Sequence, residues 1–191
     1  MKHLLIIFFV LMCLAQWFVP GKMIYDSEVT IREGKLYKFR TRPIDPTDPF
    51  RGKYVTLSFK EEAVHVDPDD RWAAGDEIFV EFATDEEGYA IPSAAYREAP
   101  SSESYLQTRV SYVVEQEDAP EVFYHIPFDR LYLEESKASE AERVYWESQS
   151  DTTQVTYAQV RIGKGLAVLQ NVYINDKTLV DIVNEINTKS R

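Results

Sequence analysis

A long apolar run at the N-terminus limits how this chain can fold more than any other feature. Residues 4–19 read LLIIFFVLMCLAQWFV, in which Gln16 is the only polar side chain and no side chain is charged. Residues 20–22 (PGK) interrupt the run, and residues 23–25 (MIY) extend its apolar reach. A helix that spans a bilayer needs about 20 apolar residues, whereas the core of a signal peptide has about 7–15. Residues 4–19 lie between these limits, so the choice between a membrane anchor and a signal peptide depends on whether residues 23–25 belong to the run.

An uncleaved anchor accounts for the whole apolar length. We therefore predict a transmembrane anchor at residues 1–25 that contacts the lipid bilayer through residues 4–25. Trp17 and Tyr25 are then expected at the membrane interface, where amphipathic aromatic rings are enriched. Cleavage after Ala15 remains the main alternative, since small residues precede that bond at the two positions that a signal peptidase reads.

The rest of the chain, residues 26–191, is predicted to be one acidic, extracytoplasmic, β-rich domain. The formal net charge of the chain is −11. Such a balance argues against nucleic acid as a partner, because phosphate binding needs a basic face. It also argues against electrostatic attraction to anionic lipid. The only cysteine is Cys13, inside the apolar run, so the domain has no disulfide, no cysteine-ligated zinc and no cysteine nucleophile. Charge counting does not decide the orientation, but a long domain translocates readily, and we predict that it lies outside the cytoplasm.

Alternating apolar and polar side chains predict a mainly β domain. In residues 54–60, Val55, Leu57 and Phe59 fall on one face of a strand. The residues Gly163-Lys164-Gly165 separate two such runs and indicate a tight hairpin. The other predicted strands cover residues 35–42, 77–83, 88–97, 105–115, 121–126, 154–162 and 166–174.

Two short helices are predicted among the strands. One has a capping-box pattern that begins at Ser139, and the other has apolar residues at helical spacing over residues 179–186, with Asp176 as its cap. The predicted fold is therefore mainly β: a β-sandwich or partly closed barrel with two short helices, preceded by one N-terminal transmembrane helix.

A rigid, acidic corner precedes the strand that begins at residue 54. The segment 43–53 reads PIDPTDPFRGK; its prolines fix φ, and Asp45 and Asp48 are suited to bonding the backbone of their own turns. Gly52 permits a conformation or close approach that other residues avoid. The structural interpretation, a well-specified strand entry, explains most of this composition. As a candidate docking or structural corner we select Asp45, Asp48, Arg51, Gly52, Tyr54 and Leu57.

The same residues carry a resemblance to a known family. RGKYVTLSF resembles the signature of the GDYXXLXY family, with Gly52, Tyr54 and Leu57 in place, while Lys53 replaces the Asp and Phe59 replaces the final Tyr. The segments VFYHIPFDRLYLEE and AQVRIGKGLAVLQNVYINDKTL are also similar to those of family members. The resemblance implies a protein of a bacterial cytoplasmic (inner) membrane, single-pass, often associated with a polytopic membrane protein.

A fainter likeness is to type I signal peptidases, which also join a transmembrane anchor to an extracytoplasmic β domain. In that alignment Pro43 takes the place of the nucleophile and Thr108 that of the general-base lysine. Serine–lysine chemistry needs a hydroxyl and a deprotonated amine within hydrogen-bond reach. The likeness therefore implies a β domain without catalysis, unless Thr41 or Thr47 approaches a lysine at residue 38, 53 or 60.

No pattern in the sequence indicates a metal or another cofactor. His65 and His125 have no second ligand at a characteristic spacing, and the acidic runs at residues 67–70 and 85–87 lack the pattern of a calcium loop. We expect a membrane-anchored accessory protein that docks on an integral membrane partner and has no catalysis of its own. An envelope ligand-binding module and a hydrolase of the signal-peptidase type are the alternatives.

Overall fold

The computed structural model of the protein describes residues 2–42, 54–115, 119–151 and 153–189. The helices are α1 (Lys2–Glu33), α2 (Glu135–Ser150) and α3 (Leu179–Lys189). The strands are β1 (Lys35–Arg40), β2 (Tyr54–Thr56), β3 (Ala63–His65), β4 (Glu77–Thr84), β5 (Ala90–Tyr96), β6 (Tyr105–Val114), β7 (Glu121–Tyr124), β8 (Arg130–Tyr132), β9 (Thr156–Gly163), β10 (Leu166–Ile174) and β11 (Lys177–Thr178). A mainly β domain with two short helices after an N-terminal apolar helix is thus confirmed.

Helix α1 carries the apolar run and continues beyond it. The stretch Ile6–Glu33 is apolar enough to cross a membrane, with a mean hydropathy of 1.7, and no residue of its most apolar part is buried. Trp17 and Tyr25 are 79% and 68% exposed on this helix. The helix does not end near residue 25 but runs on to Glu33. Ion pairs at helical spacing, including Glu28 with Arg32, support this extension.

The strands form two main sheets and a short ribbon, and every pairing between named strands is antiparallel. One sheet has the order β1-β9-β10-β11, the other has the order β3-β7-β6-β4-β5, and β2 pairs with β8 alone. The sheets do not close on each other within the described residues, so the sandwich, and not the barrel, describes the fold. The predicted hairpin between β9 and β10 is confirmed; Lys164 and Gly165 have φ values of 49° and 89°, the geometry of a tight two-residue turn.

A cluster of aromatic rings fills the space between the sheets. Phe39 of β1 is fully buried, and its ring centroid lies 6.0 Å from that of Phe59, 5.2 Å from that of Phe82 and 5.0 Å from that of Phe128. The hydroxyl of Tyr37 donates to the Phe82 carbonyl at 2.9 Å, which ties the two sheets together by a polar contact as well. The core thus joins residues that are far apart in the sequence.

Helices α2 and α3 begin at positions that differ from the predicted caps. Helix α2 begins at Glu135, so Ser139 lies inside it and the predicted capping box is wrong. At the start of α3 the Asp181 amide donates to Thr178 Oγ1 at 3.1 Å. Thr178 is therefore the cap, and not Asp176, because only a side chain directly before the helix reaches its free amides.

Helix α1 is joined to the domain without a flexible linker. The side chains of residues 14–25 are exposed, several become partly buried from Asp26 onward, and Thr30 is only 5% exposed. Gly34 follows the helix; its amide donates to the Thr30 carbonyl at 2.9 Å, and its carbonyl accepts from Arg161 Nη1 at 2.8 Å. Strand β1 starts at the next residue. The last two turns of α1 are therefore part of the folded domain.

Candidate docking site

Residues 54–60, which carry the motif, direct some side chains into the core and others to the surface. Val55, Leu57 and Phe59 are 0%, 3% and 1% exposed, which confirms the predicted apolar face. Strand β2 pairs with β8, and the Leu57 amide donates to the Asp129 carbonyl at 2.7 Å just beyond it. Leu57 therefore anchors the motif in the core, and docking through its side chain is excluded by its burial.

An aromatic pair lies on the outer face of this ribbon. Tyr54 is paired with Tyr132 in the strand register, and their ring centroids are 5.6 Å apart. The guanidinium of Arg130 lies 5.0 Å from the centroid of the Tyr54 ring. Tyr132 is 68% exposed. We call Tyr54, Arg130 and Tyr132 the tyrosine patch. A hydrogen bond to Tyr132 and the negative charge of Asp129 raise the pKa of the Arg130 guanidinium, so this side chain stays positively charged.

The remaining residues of the predicted corner lie outside the described residues: Asp45, Asp48, Arg51 and Gly52. The chain enters that segment after Arg42 and leaves it before Tyr54. Arg42 is held by Ser58 Oγ at 2.7 Å and by an ion pair of 2.5 Å with Glu62. Both ends of the corner are thus fixed to the same part of the domain as the tyrosine patch.

The family model described as GDYXXLXY protein matches residues 16–172, from the apolar helix to β10. The chain belongs to the GDYXXLXY family. No curated protein and no solved structure matches it. The match therefore identifies the family of the motif.

This GDYXXLXY domain contains a buried carboxyl group that the sequence analysis missed. Glu61 is 7% exposed, and its Oε2 atom has no hydrogen-bond partner among the described residues. Burial raises its pKa from 4.5 to about 7, although backbone hydrogen bonds and the charge of Arg40 oppose the shift. The hydroxyl of Tyr124 donates to the Glu61 carbonyl at 2.5 Å. The available signal was the alternation itself, which continues from Phe59 and directs residue 61 inward.

The stability of the domain is expected to fall as the pH rises from about 5 to about 7 because of Glu61. Between these values the folded state holds a proton that the unfolded state has released, since the pKa is raised by folding. Glu61→Gln should therefore increase the free energy of unfolding at pH 8 by about 1–2 kcal/mol and change it little at pH 5. Chemical denaturation at the two pH values measures the difference. Glu86→Gln, at an exposed turn, is the control and should behave alike at both; equal stabilities of Glu61→Gln and the wild type at pH 8 would contradict the prediction.

Of the groups considered for serine–lysine chemistry, Thr47 and Lys53 lie outside the described residues, and Thr41, Thr108 and Lys38 have other partners. Thr41 Oγ1 donates to the Thr156 carbonyl at 3.1 Å and accepts from Gln149 Nε2 at 2.8 Å. Thr108 Oγ1 donates to the His125 carbonyl at 2.5 Å. The ammonium of Lys38 lies over the Tyr157 ring, 5.1 Å from its centroid. These contacts give the Thr41 and Thr108 hydroxyls a structural role. The absence of catalysis stays a prediction.

The part of the chain that the structure describes contains no cluster of side chains suited to binding a metal ion. There, no three His, Cys, Asp or Glu side chains are grouped so that they could hold an ion. His65 and His125 are both exposed and lie at opposite ends of the β3–β7 strand pair.

Proposed function

We propose that this protein is a membrane-tethered accessory subunit that docks on an integral membrane partner and performs no chemistry itself. The observation that carries the proposal is the rigid junction between α1 and the domain. A flexible, Gly/Ser-rich linker would let the domain move freely relative to its anchor. Here the helix runs straight into β1 through Gly34, which is bonded to Thr30 and Arg161.

A rigid junction gives the domain a fixed position relative to the membrane. Such an arrangement suits a subunit whose docking surface must meet a partner that is itself fixed in the same membrane. The exposed apolar helix supplies the second contact, because its side chains are free to meet lipid or another helix. Two separated contacts held at a fixed distance strengthen each other through effective concentration.

The tyrosine patch is the docking surface that we propose for the extramembrane part of the partner. Interfaces are enriched in tyrosine and arginine, which bury large areas and still offer hydrogen bonds at their tips. Tyr132 is among the most exposed large side chains of the domain, and Arg130, whose guanidinium lies 3.7 Å from the Asp129 carboxylate, adds a positive charge beside it. A partner with an acidic or aromatic loop fits this chemistry.

A photo-crosslinking amino acid at position 132 is expected to capture one integral membrane protein in native membranes. The full-length chain is used, and the product is identified after carbonate extraction, which also tests whether the chain itself stays in the membrane. Position 96 is the matched control, because Tyr96 is also an exposed tyrosine on a strand, at 40% exposure, but lies outside the patch. A product at 96 equal to that at 132, or a soluble protein as the only product, would contradict the proposed docking surface.

A further inference from the structure

A cleft lies where α1 meets the turn between β9 and β10. It has a volume of about 590 Å³, and its walls come from the last turns of the helix, from the β9–β10 turn and from the loop before β6. Gly34 and Gly163 form its floor at the point where the two backbones approach closely: a β-carbon on Gly163 would lie 3.3 Å from the Gly34 Cα. The small residues at this contact leave the space above it open.

The charges around the cleft balance each other. Its lining includes the lysines at positions 22, 35 and 164 and the acids at positions 26, 33 and 103. Lys22 is paired with Asp26, and Lys164 lies 3.2 Å from Glu103. Two charged groups remain that form no ion pair with a described residue: the carboxylate of Glu33 and the ammonium of Lys35, which lies 4.9 Å from the centroid of the Tyr37 ring.

The position of the cleft along α1 agrees with the surface of a membrane. The apolar part of the helix, residues 4–25, has a length of about 33 Å at about 1.5 Å per residue, and the hydrocarbon core of a bilayer is about 30 Å thick. Lys22 and Tyr25, at the end of this part, are also the first residues of the cleft lining. If α1 spans the membrane as proposed above, on which this inference rests, the cleft opens at the level of the lipid headgroups.

We propose that this cleft binds the headgroup of a zwitterionic phospholipid with a primary ammonium, of the phosphatidylethanolamine type. The Lys35 ammonium is placed for the phosphate and the Glu33 carboxylate for the lipid ammonium, a complementary pair of charge-assisted contacts. An anionic headgroup is disfavoured, because the three lysines and three carboxylates of the lining leave the cleft without a net positive charge. A choline headgroup has no N–H group, so it cannot donate a hydrogen bond to the Glu33 carboxylate. Leu166, 44% exposed at the rim, is available to the apolar part of the lipid.

Retention of lipid by the full-length protein tests the proposal. The protein is placed in nanodiscs of phosphatidylethanolamine, phosphatidylcholine and phosphatidylglycerol in equal amounts, released, and weighed with its bound lipid by native mass spectrometry. Preferential retention of phosphatidylethanolamine is expected, and Glu33→Gln and Lys35→Met should each reduce it about fivefold. Lys38→Met is the matched control, because Lys38 is on the same strand and also lies over a tyrosine ring, but does not line the cleft. Glu28→Gln, on the same helix, controls for the carboxylate.

The outcomes separate the two proposals. Three results would overturn the headgroup site: equal retention of the three lipids, a preference for phosphatidylglycerol, or the same loss of bound lipid in the control variants. None of them would affect the proposal that α1 holds the protein in the membrane. Extraction of the wild-type chain by carbonate would overturn the tether and the headgroup site with it. Thermal melting of each variant shows whether the domain is folded, and a folded Lys35→Met variant that retains lipid as the wild type does also overturns the site.

Discussion

Replacing the buried Gly34 with valine is expected to lower the free energy of unfolding by about 3 kcal/mol or more. A β-carbon at this position would overlap the carbonyl oxygen of Thr30 and would lie 3.1 Å from that of Ile162. Both are backbone atoms, so neither can move aside as a flexible side chain would. The last turn of α1 has to unwind or separate from β9, and the start of β1 is displaced with it.

Thermal melting of the full-length protein in mild detergent measures this effect, and a loss of about 3 kcal/mol corresponds to a fall in Tm of about 6 °C or more. Gly21→Ala is the matched control. A β-carbon there meets nothing within 4 Å, and alanine is the better helix former, so stability should be unchanged or slightly higher. A Gly34→Val variant that melts with the wild type would show that the junction does not hold the helix to the domain, and would remove the main support for the accessory-subunit proposal.

Truncating Phe39 to alanine is expected to destabilise the domain by about 4 kcal/mol. The side chain is fully buried, and rings from three other segments surround it, those of Phe59, Phe82 and Phe128. These neighbours come from both sides of the sandwich and cannot close together over the space that the ring leaves. The remaining cavity then adds to the loss of apolar burial.

Chemical denaturation of the protein in detergent gives the size of this loss, and near-ultraviolet circular dichroism shows whether the aromatic cluster stays ordered. Phe18→Ala is a control with the same chemical change, because Phe18 is 70% exposed on α1 and touches no part of the domain core. Its transition should match that of the wild type. A loss of under about 1 kcal/mol for Phe39→Ala would mean that the two sheets do not share this cluster as a common core.

Local patterns in the sequence predicted most of the long strands. The strand at residues 166–174 is found with the same bounds, and the face formed by Val55, Leu57 and Phe59 is buried as expected. The short strands β3 and β8, of three residues each, were missed because so few residues cannot show an alternation. They become strands only because β7 and β2 offer them hydrogen bonds.

The caps of the helices show a similar limit. A capping box was predicted at Ser139, but the helix begins four residues earlier, at Glu135. One face of this helix is buried, including Ala138, Ala141 and Tyr145. Packing of that face against the domain contributes more than one cap, which is worth about 1 kcal/mol. The end of α1 is a second case, since contacts with the domain continue the helix beyond its apolar part.

The sequence by itself determined the apolar helix, the β class of the domain, the β9–β10 hairpin and the family, because each depends on residues that are close together along the chain. Only the tertiary structure decided which surface the motif presents, that Glu61 is buried, and that α1 is fixed to the domain. Each of these depends on contacts between distant residues, such as Tyr54 with Tyr132 and Gly34 with Arg161. Periodicity states which face of a strand is apolar, but the partner that covers or extends that face is chosen by the folded chain as a whole.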